Sequence, residues 1–272
     1  MSPLLEAKGI SYRSGGRMLI EAADLSIAGG SFTIVIGPNG AGKSTLLRVL
    51  SGEISPTEGE VRFDARPLRS IPPWRLAHGR AVMPQASDLS FPFTVFEVAC
   101  LGVEGIGRGL SRGERQRIAL DALEQADVAH LGHRNYQTLS GGERQRVHFA
   151  RVLAQLQAGR TVETRQVLFL DEPIASLDLR HQLALLQTAK SLAQDGLAVV
   201  AVLHDLQLAA GIGDDLVLMR GGRLVTRGRP ESVLTPELIT EVFGVSLVSP
   251  ILPPSPWTLA PTATRPLATG AP

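Results

Sequence analysis

A glycine-rich stretch near the N-terminus has the residue types and the spacing that bind phosphate. It fits the pattern G-x-x-x-x-G-K-[ST] with these consecutive residues: Gly37, Pro38, Asn39, Gly40, Ala41, Gly42, Lys43, Ser44 and Thr45. Glycines let backbone N–H groups turn toward an anion, and the lysine should reach the β- and γ-phosphates. The Ser44 hydroxyl should bind Mg²⁺. This stretch therefore predicts a site for a polyphosphate and its metal ion.

Two acidic residues, Asp171 and Glu172, directly follow the apolar run 167–170. Such a run predicts a buried strand, and sheets of the α/β class bind ligands at the carboxyl ends of their strands. Asp171 is suited to hold Mg²⁺, directly or through water. Glu172 is suited to orient a water molecule and accept its proton.

The roles of two further residues stay open on sequence grounds. His204 follows the apolar run 197–203, so it should emerge at the same sheet edge and either hydrogen-bond a γ-phosphate or lie there as a plain surface histidine. Tyr12 precedes a Ser-Gly-Gly turn. Its ring can stack on adenine, or it can be an ordinary strand tyrosine.

A second anion-binding surface is predicted far along the chain from the first. Ser140 and Glu143 have the spacing of a capping box, which predicts that a helix starts there, and Gly141 and Gly142 lie in its first turn. The backbone N–H groups of such a helix start favour an anion. The pair Ser111 and Glu114 predicts another helix start by the same rule.

The elements that must position these residues are those of an α/β protein. Residues 32–36 predict a buried strand before the phosphate loop, and 46–50 a helix after it. Further strands are expected at 60–63, at 81–85 ending on Gln85, at 167–170 and at 197–203, with a hairpin over 216–226 and a helix over 236–243. A mostly helical lobe, about 86–148, interrupts a domain of residues 1–245. The Pro-, Ala- and Thr-rich tail 246–272 should be flexible.

Composition narrows the class of protein. The chain has 272 residues, 44% of them hydrophobic, and a formal net charge of +1, which gives no general electrostatic case for nucleic acid or for an anionic membrane. The single Cys100 cannot pair within the chain, which fits a reducing compartment. No apolar run is long enough to cross a bilayer. We therefore expect a soluble protein whose membrane role, if it has one, comes through a partner.

In their order along the chain, these motifs resemble those of the ATP-binding subunits of ABC transporters over residues 4–245. The match comprises an aromatic A-loop at Tyr12, Walker A at 37–45, a Q-loop glutamine at Gln85, the signature LSGGERQR at 139–146, Walker B ending at 171–172, a D-loop at Asp178 and a switch histidine at His204. The resemblance implies a P-loop NTPase fold: a RecA-like core, an antiparallel β subdomain and an inserted helical subdomain.

The resemblance also implies how the site works. Two copies pack head to tail around ATP, so that Ser140, Gly141 and Gly142 of one copy contact the γ-phosphate held by the other, with Asp178 at the junction. Glu172 would be the base and His204 would steady the phosphate. The implied Mg²⁺ ligands are Ser44, Gln85 and Asp171. One departure is that Ile174 and Ala175 replace the family's usual hydroxyl residues before the D-loop aspartate.

Within the family, the chain is most similar to iron-chelate importers, and especially to haem importers. Three sequence segments support this similarity: Met-Pro-Gln at 83–85, Phe-Pro-Phe-Thr-Val at 91–95 and Glu-Ser-Val-Leu-Thr-Pro at 231–236. This implies two transmembrane permease subunits, an indirect link to a periplasmic binding protein, and a peripheral place on the cytoplasmic face of the bacterial inner membrane. An iron-siderophore or vitamin B12 importer is the nearest alternative.

Two other classes are weighed against this one. An ABC ATPase that acts on nucleic acid usually has two ATPase units, a long coiled coil or a basic arm, whereas this chain has one unit, no sustained heptads and little net charge. A non-catalytic regulatory subunit would be expected to have lost Lys43, Glu172 or His204, and all three are present.

Overall fold

The computed structural model describes residues 3–85, 89, 91–107 and 109–245. The tail 246–272 and part of the predicted helical lobe lie outside the described residues.

The described strands form two sheets. They are β1 Leu5–Ser14, β2 Arg17–Ile27, β3 Phe32–Ile36, β4 Glu58–Phe63, β5 Arg66–Pro67, β6 Arg80–Met83, β7 Val167–Asp171, β8 Ala198–Val202, β9 Asp215–Arg220 and β10 Arg223–Gly228. One sheet is antiparallel, in the order β2-β1-β4-β5. The other has the order β10-β9-β3-β8-β7-β6 and is parallel except for its edge hairpin β9–β10.

The described helices pack on the parallel sheet or form a lobe beside it. They are α1 Lys43–Ser51, α2 Pro73–Gly79, α3 Val95–Glu104, α4 Arg112–Gln125, α5 Gly141–Gly159, α6 Leu179–Gln194, α7 Leu206–Ile212, α8 Pro230–Val233 and α9 Pro236–Phe243. Helix α9 has the predicted bounds and ends at Gly244, whose φ of 71° is the left-handed conformation that glycine favours.

The parallel sheet separates two hydrophobic clusters. Along β3, Phe32, Ile34 and Ile36 pack in the cluster that includes the helical lobe, whereas Val35 packs in the cluster that includes the antiparallel sheet. This alternation is what a strand buried on both faces requires. The predicted α/β class, with an antiparallel subdomain and an inserted helical lobe, is confirmed.

The helical lobe contains α3, α4 and the start of α5, which pack against one another. Helix α5 continues without a break to Gly159 and packs on β6. The boundary predicted at 148 therefore lies inside a helix that joins the lobe to the core.

Three sequence predictions differ in detail from the structure. The strand expected to reach Gln85 ends at Met83. The polar composition of residues 157–166 predicts a surface loop, but α5 extends to Gly159, so the loop begins only after that residue. Within that loop Gln166 is fully buried, and its Nε2 is satisfied there by donating to the carbonyls of His78 and Leu156 at 2.8 and 2.9 Å. A long helix end and a buried amide leave no hydrophobic pattern that distinguishes them from a polar surface loop.

Candidate active site

The phosphate loop joins β3 to α1 in a conformation that needs glycine. Gly37, Gly40 and Gly42 have φ angles of 150°, 76° and 99°. A Cβ at Gly37 would lie 2.3 Å from the Met219 carbonyl oxygen, and one at Gly42 would lie 2.5 Å from the Leu19 carbonyl oxygen. The loop is therefore fixed by both its backbone angles and its close approach to neighbouring strands.

Lys43 begins α1 and points back over the loop. Its Nζ donates to the carbonyl oxygens of Gly37 and Pro38 at 2.9 and 3.0 Å. Burial lowers the pKa of Lys43, while the nearby charges of Glu172 and Asp171 oppose that shift. The ammonium is thus held beside the helix N-terminus, where an anion is favoured.

Ser44 and Asp171 form a pair of oxygen donors. The Ser44 Oγ donates to the Asp171 Oδ1 at 3.0 Å, which joins the first turn of α1 to the end of β7. Asp171 is only 6% exposed, and burial raises the pKa of its carboxyl group. Hard oxygen ligands next to a carboxylate that needs a countercharge fit Mg²⁺.

Glu172 lies one residue beyond β7, between two side chains from the ends of neighbouring strands. Its Oε1 is 2.6 Å from the His204 Nε2, and its Oε2 accepts from the Gln85 Nε2 at 2.8 Å. The φ of Glu172 is 50°, a left-handed conformation that side chains other than glycine rarely adopt. Strained backbone of this kind clusters at functional sites.

Most of these groups line one open cleft of about 500 Å³. Its lining consists of Arg17, Leu19, Asn39, Gly40, Gly42, Lys43, Ser44, Thr45, Gln85, Glu172 and His204. Tyr12 is not part of this lining; it is half-buried on β1, where it pairs with Ile20 of β2. Arg17 and Leu19 had no motif to identify them, because they line the cleft only where β2 passes close to Gly42 of the phosphate loop in the fold.

A second cleft, of about 410 Å³, lies at the start of α5 and shares no lining residue with the first. It is lined by Ser140, Gly141, Gly142, Glu143, Arg146, Ser176, Leu177, Asp178 and His181. The predicted capping box is present, since the Ser140 Oγ accepts from the Glu143 N–H at 3.3 Å and the Ser140 N–H donates to the Glu143 Oε2 at 2.7 Å. The bond from the Ser140 N–H to the carboxylate is the largest of the causes that lower the pKa of Glu143.

Asp178 caps the next helix on the same surface. Its Oδ1 accepts from the backbone N–H of His181 at 3.0 Å and lies 2.7 Å from that residue's Nδ1. Helix α6 thus starts at the rim of the second cleft. The D-loop aspartate and the signature glycines are therefore neighbours in the fold, although more than one element separates them in sequence.

Sequence reasoning missed Gln145, which connects the two regions. Its Nε2 donates to the Glu172 carbonyl oxygen at 3.0 Å, and its Oε1 accepts from the Ser176 N–H at 3.2 Å. A glutamine inside a polar helix start carries no signal of such contacts. Among the described residues, no cluster of three or more His, Cys, Asp or Glu side chains could hold a metal. His130 and His133 are three residues apart with no further ligands nearby in sequence, which predicts surface histidines, and both are exposed.

Comparisons with known proteins agree on one family. A family model described as ABC transporter matches residues 20–175. The protein from Gloeobacter violaceus named Hemin import ATP-binding protein HmuV is 51% identical over 243 residues, covering 89% of this chain and 88% of its own length. Its namesake from Rhizobium meliloti is 43% identical over 250 residues, covering 92% and 95%.

Solved structures give the same architecture. The ADP conformation of MJ1267, an ATP-binding cassette of an ABC transporter, superposes with a TM-score of 0.73 at 25% identity, over 89% of this chain and 99% of that one. A dimeric post-hydrolysis state of the ATP-binding cassette MJ0796, bound to ADP and Pi, has a TM-score of 0.72 at 26% identity, over 83% and 98%. Among the described residues of this chain, no helix is both long and apolar enough to span a bilayer.

Proposed function

Because this chain belongs to the ABC transporter family, we propose that it is the ATPase subunit of an importer whose cargo is haem. The observation that carries the ATPase part is the convergence of Lys43, Ser44 and Glu172 on one cleft, with the Ser44 hydroxyl hydrogen-bonded to Asp171. The cargo is supported by relatives at 43% and 51% identity over most of the chain, both named for hemin import.

ATP binding is assigned to the phosphate loop. The N–H groups at the start of α1 and the Lys43 ammonium would hold the β- and γ-phosphates. Lys43 is already fixed beside the loop by two carbonyl oxygens, so little side-chain entropy remains to be lost when a phosphate is bound. Tyr12 is proposed to stack on the adenine ring.

Glu172 is the proposed base. It would accept a proton from a water molecule while the water oxygen attacks the γ-phosphorus in line and ADP leaves. Ser44, Asp171 and Gln85 would hold Mg²⁺, which neutralises phosphate charge when it is bound. His204 now contacts the Glu172 carboxylate, and we propose that it also contacts the γ-phosphate and keeps the base oriented.

The second cleft supports the part of the proposal that concerns a dimer of two copies of this chain. Ser140, Gly141 and Gly142 face a surface separate from the chain's own phosphate loop. Two copies packed head to tail would place this surface on the γ-phosphate bound by the other copy. The MJ0796 cassette is itself dimeric in a state bound to ADP and Pi. We propose that the dimer docks peripherally on two membrane permease subunits at the cytoplasmic face of the inner membrane, and that a periplasmic binding protein acts through those subunits.

The test is ATPase activity of the chain reconstituted with its permease subunits in liposomes. Haem-loaded, siderophore-loaded and empty binding proteins are compared. Stimulation by the haem-loaded form alone is the expected result. Stimulation by a siderophore-loaded form instead would keep the ATPase and replace the cargo, whereas absence of ATP hydrolysis under every condition would overturn the enzymatic proposal.

A further inference from the structure

The loop that follows Glu172 is held at two ends by one side chain from another element. Gln145 lies in the second turn of α5, and its amide spans the loop by donating to the Glu172 carbonyl oxygen at 3.0 Å and accepting from the Ser176 N–H at 3.2 Å. No other side chain among the described residues is recorded in a hydrogen bond with the backbone of Glu172.

The loop needs such support because its first residue is strained. Glu172 has a φ of 50°, which costs free energy in a residue other than glycine unless the surroundings enforce it. The backbone bond that closes the turn, from the Ala175 N–H to the Glu172 carbonyl oxygen, is long at 3.4 Å. The shorter bond from Gln145 is therefore the better-formed restraint on that carbonyl group.

The same loop rests on the glycines at the start of α5. A Cβ on Gly142 would lie 2.9 Å from the Ser176 carbonyl oxygen, and one on Gly141 would lie 3.6 Å from the Ser176 Cβ. Ser140, Gly141 and Gly142 at the start of α5 form what we call the signature surface. Helix α5 thus contacts the loop through this surface as well as through Gln145. The far side of the loop is held by Gln182 of α6, whose Nε2 donates to the carbonyl oxygens of Ile174 and Leu177 at 3.3 and 2.9 Å.

We propose that Gln145 is a positioning residue that keeps the strained backbone of Glu172 in place for proton abstraction. This inference rests on the proposed function, in which Glu172 is the base. The loop also tolerates Ile174 and Ala175 in place of hydroxyl residues. Ile174 packs in the core at 8% exposure, and the amides of Gln145 and Gln182 hold the loop backbone. Because Gln145 lies on the helix that begins with the signature surface, a displacement of that surface is passed to the base of the same chain.

The first experiment compares Gln145→Leu with Gln155→Leu in the full chain. Gln155 is a matched control, since it is also half-buried on α5 and its amide donates to the backbone carbonyls of Ala77 and Arg80 at 3.0 and 2.9 Å, away from both clefts. Both variants should lower Tm. Only Gln145→Leu should lower kcat, by about tenfold with KM for ATP unchanged, since one positioning hydrogen bond is lost.

A third variant separates the two bonds of Gln145. Gln145→Glu keeps an acceptor for the Ser176 N–H but places a carboxylate oxygen against the Glu172 carbonyl oxygen. Its kcat should fall at least as far as that of Gln145→Leu. Wild-type turnover by Gln145→Glu would show that the bond to Glu172 is dispensable and would overturn the proposal.

Mixed dimers, purified through two different affinity tags, show which base Gln145 serves. When one chain carries Glu172→Gln, only the other chain hydrolyses ATP. Gln145→Leu in the chain with the intact Glu172 should lower kcat about tenfold, and in the Glu172→Gln chain by less than about twofold. The reverse pattern, a loss only when Gln145→Leu is in the Glu172→Gln chain, would assign Gln145 to the surface that contacts the partner's phosphate and would overturn the proposal, as would equal losses in the two arrangements. Wild-type chains that hydrolyse no ATP would remove the proposed function and this inference together, whereas active wild-type with equally active Gln145→Leu would remove the inference alone.

Discussion

At the scale of single residues, Asp171 is the proposed Mg²⁺ ligand and lies in an environment that disfavours its own charge. It is 6% exposed, and burial outweighs the opposing effects of the Ser44 hydrogen bond and the Lys43 charge, so that the pKa of its carboxyl group is raised. A group whose pKa is raised on folding lowers the free energy of unfolding once it is ionised. The proposed Mg²⁺ binding therefore requires a charge at this position that lowers the stability of the nucleotide-free protein.

Asp171→Asn should stabilise the nucleotide-free protein and abolish Mg²⁺-dependent ATP hydrolysis. Asparagine keeps an oxygen acceptor for the Ser44 hydroxyl but carries no charge to bury. We expect the free energy of unfolding at neutral pH to rise by about 1 kcal/mol, measured by urea denaturation. A less stable variant would show that the carboxylate contributes favourable contacts that exceed its burial cost.

The gain in stability should depend on pH in a defined direction. Above the raised pKa the wild-type carboxylate is ionised and its burial costs stability, so the variant's advantage is full. Below the ordinary pKa of an aspartate both the folded and the unfolded wild type bind the proton, so the advantage disappears. The same denaturation series, repeated as the pH is lowered toward the acid range, should show the two proteins converging.

Tyr12 tests whether a residue outside the cleft lining takes part in nucleotide binding. It is half-buried on β1, with the cleft residues Arg17 and Leu19 on the partner strand. If the ring stacks on adenine, Tyr12→Ala should weaken ATP affinity by about 1–3 kcal/mol, by analogy with base–aromatic stacking. Tyr12→Phe keeps the ring and should bind as wild type in calorimetric titrations. Unchanged ATP affinity in Tyr12→Ala would show that Tyr12 contributes to strand packing and not to nucleotide binding.

At the scale of elements, helices α4 and α5 both start with a capping box but differ in the contacts of the glycine inside it. Ser111 with Glu114 and Ser140 with Glu143 both form complete capping boxes, and each box encloses a glycine at its third position. A Cβ on Gly113 would meet nothing within 4 Å, whereas one on Gly142 would lie 2.9 Å from the Ser176 carbonyl oxygen. The contact, rather than the box, distinguishes the two helix starts.

Gly142→Ala and Gly113→Ala therefore form a matched pair. Alanine at Gly113 should raise the free energy of unfolding by about 0.4–1 kcal/mol through the unfolded state and leave ATPase activity unchanged. Alanine at Gly142 must displace the loop that follows Glu172 and should lower kcat about tenfold or more. Thermal unfolding and steady-state ATPase assays on both variants check this. Equal activity of the two variants would contradict the close fit of the loop on α5.

The elements also show where sequence reasoning succeeds and where it stops. Strand β3 and helix α9 are found from sequence because periodicity, glycine stops and turn residues are local signals. The contacts of Gln145 and the burial of Gln166 arise between distant elements, and neither leaves a trace in the local pattern. Arg17 and Leu19 likewise line the cleft because β2 approaches the phosphate loop, with the Leu19 carbonyl oxygen close to Gly42. Motifs identify chemistry, whereas the residues that support it become visible only in the fold.

At the scale of the whole molecule, the chain has two separate clefts, and the proposed function assigns each of them half of a phosphate site. The first contains Lys43 and Glu172, and the second contains Ser140 and Gly142, with no residue in common. A surface that complements a different surface of an identical chain forms a head-to-tail contact. In the proposed arrangement, two such contacts would close a dimer with two composite sites, and each site would need Lys43 from one chain and Gly142 from the other.

This arrangement predicts complementation between two inactive variants. Lys43→Ala removes the phosphate-loop half of a site, and Gly142→Asp places a carboxylate where the γ-phosphate should lie, so each variant alone should be inactive. In a mixed dimer, the Lys43 of the Gly142→Asp chain meets the Gly142 of the Lys43→Ala chain, which restores one site. An equimolar mixture should recover about a quarter of wild-type activity, because half of the dimers are mixed and each has one working site. If every site were built from a single chain, mixing would restore nothing, and steady-state ATPase assays on the mixture would distinguish the two arrangements.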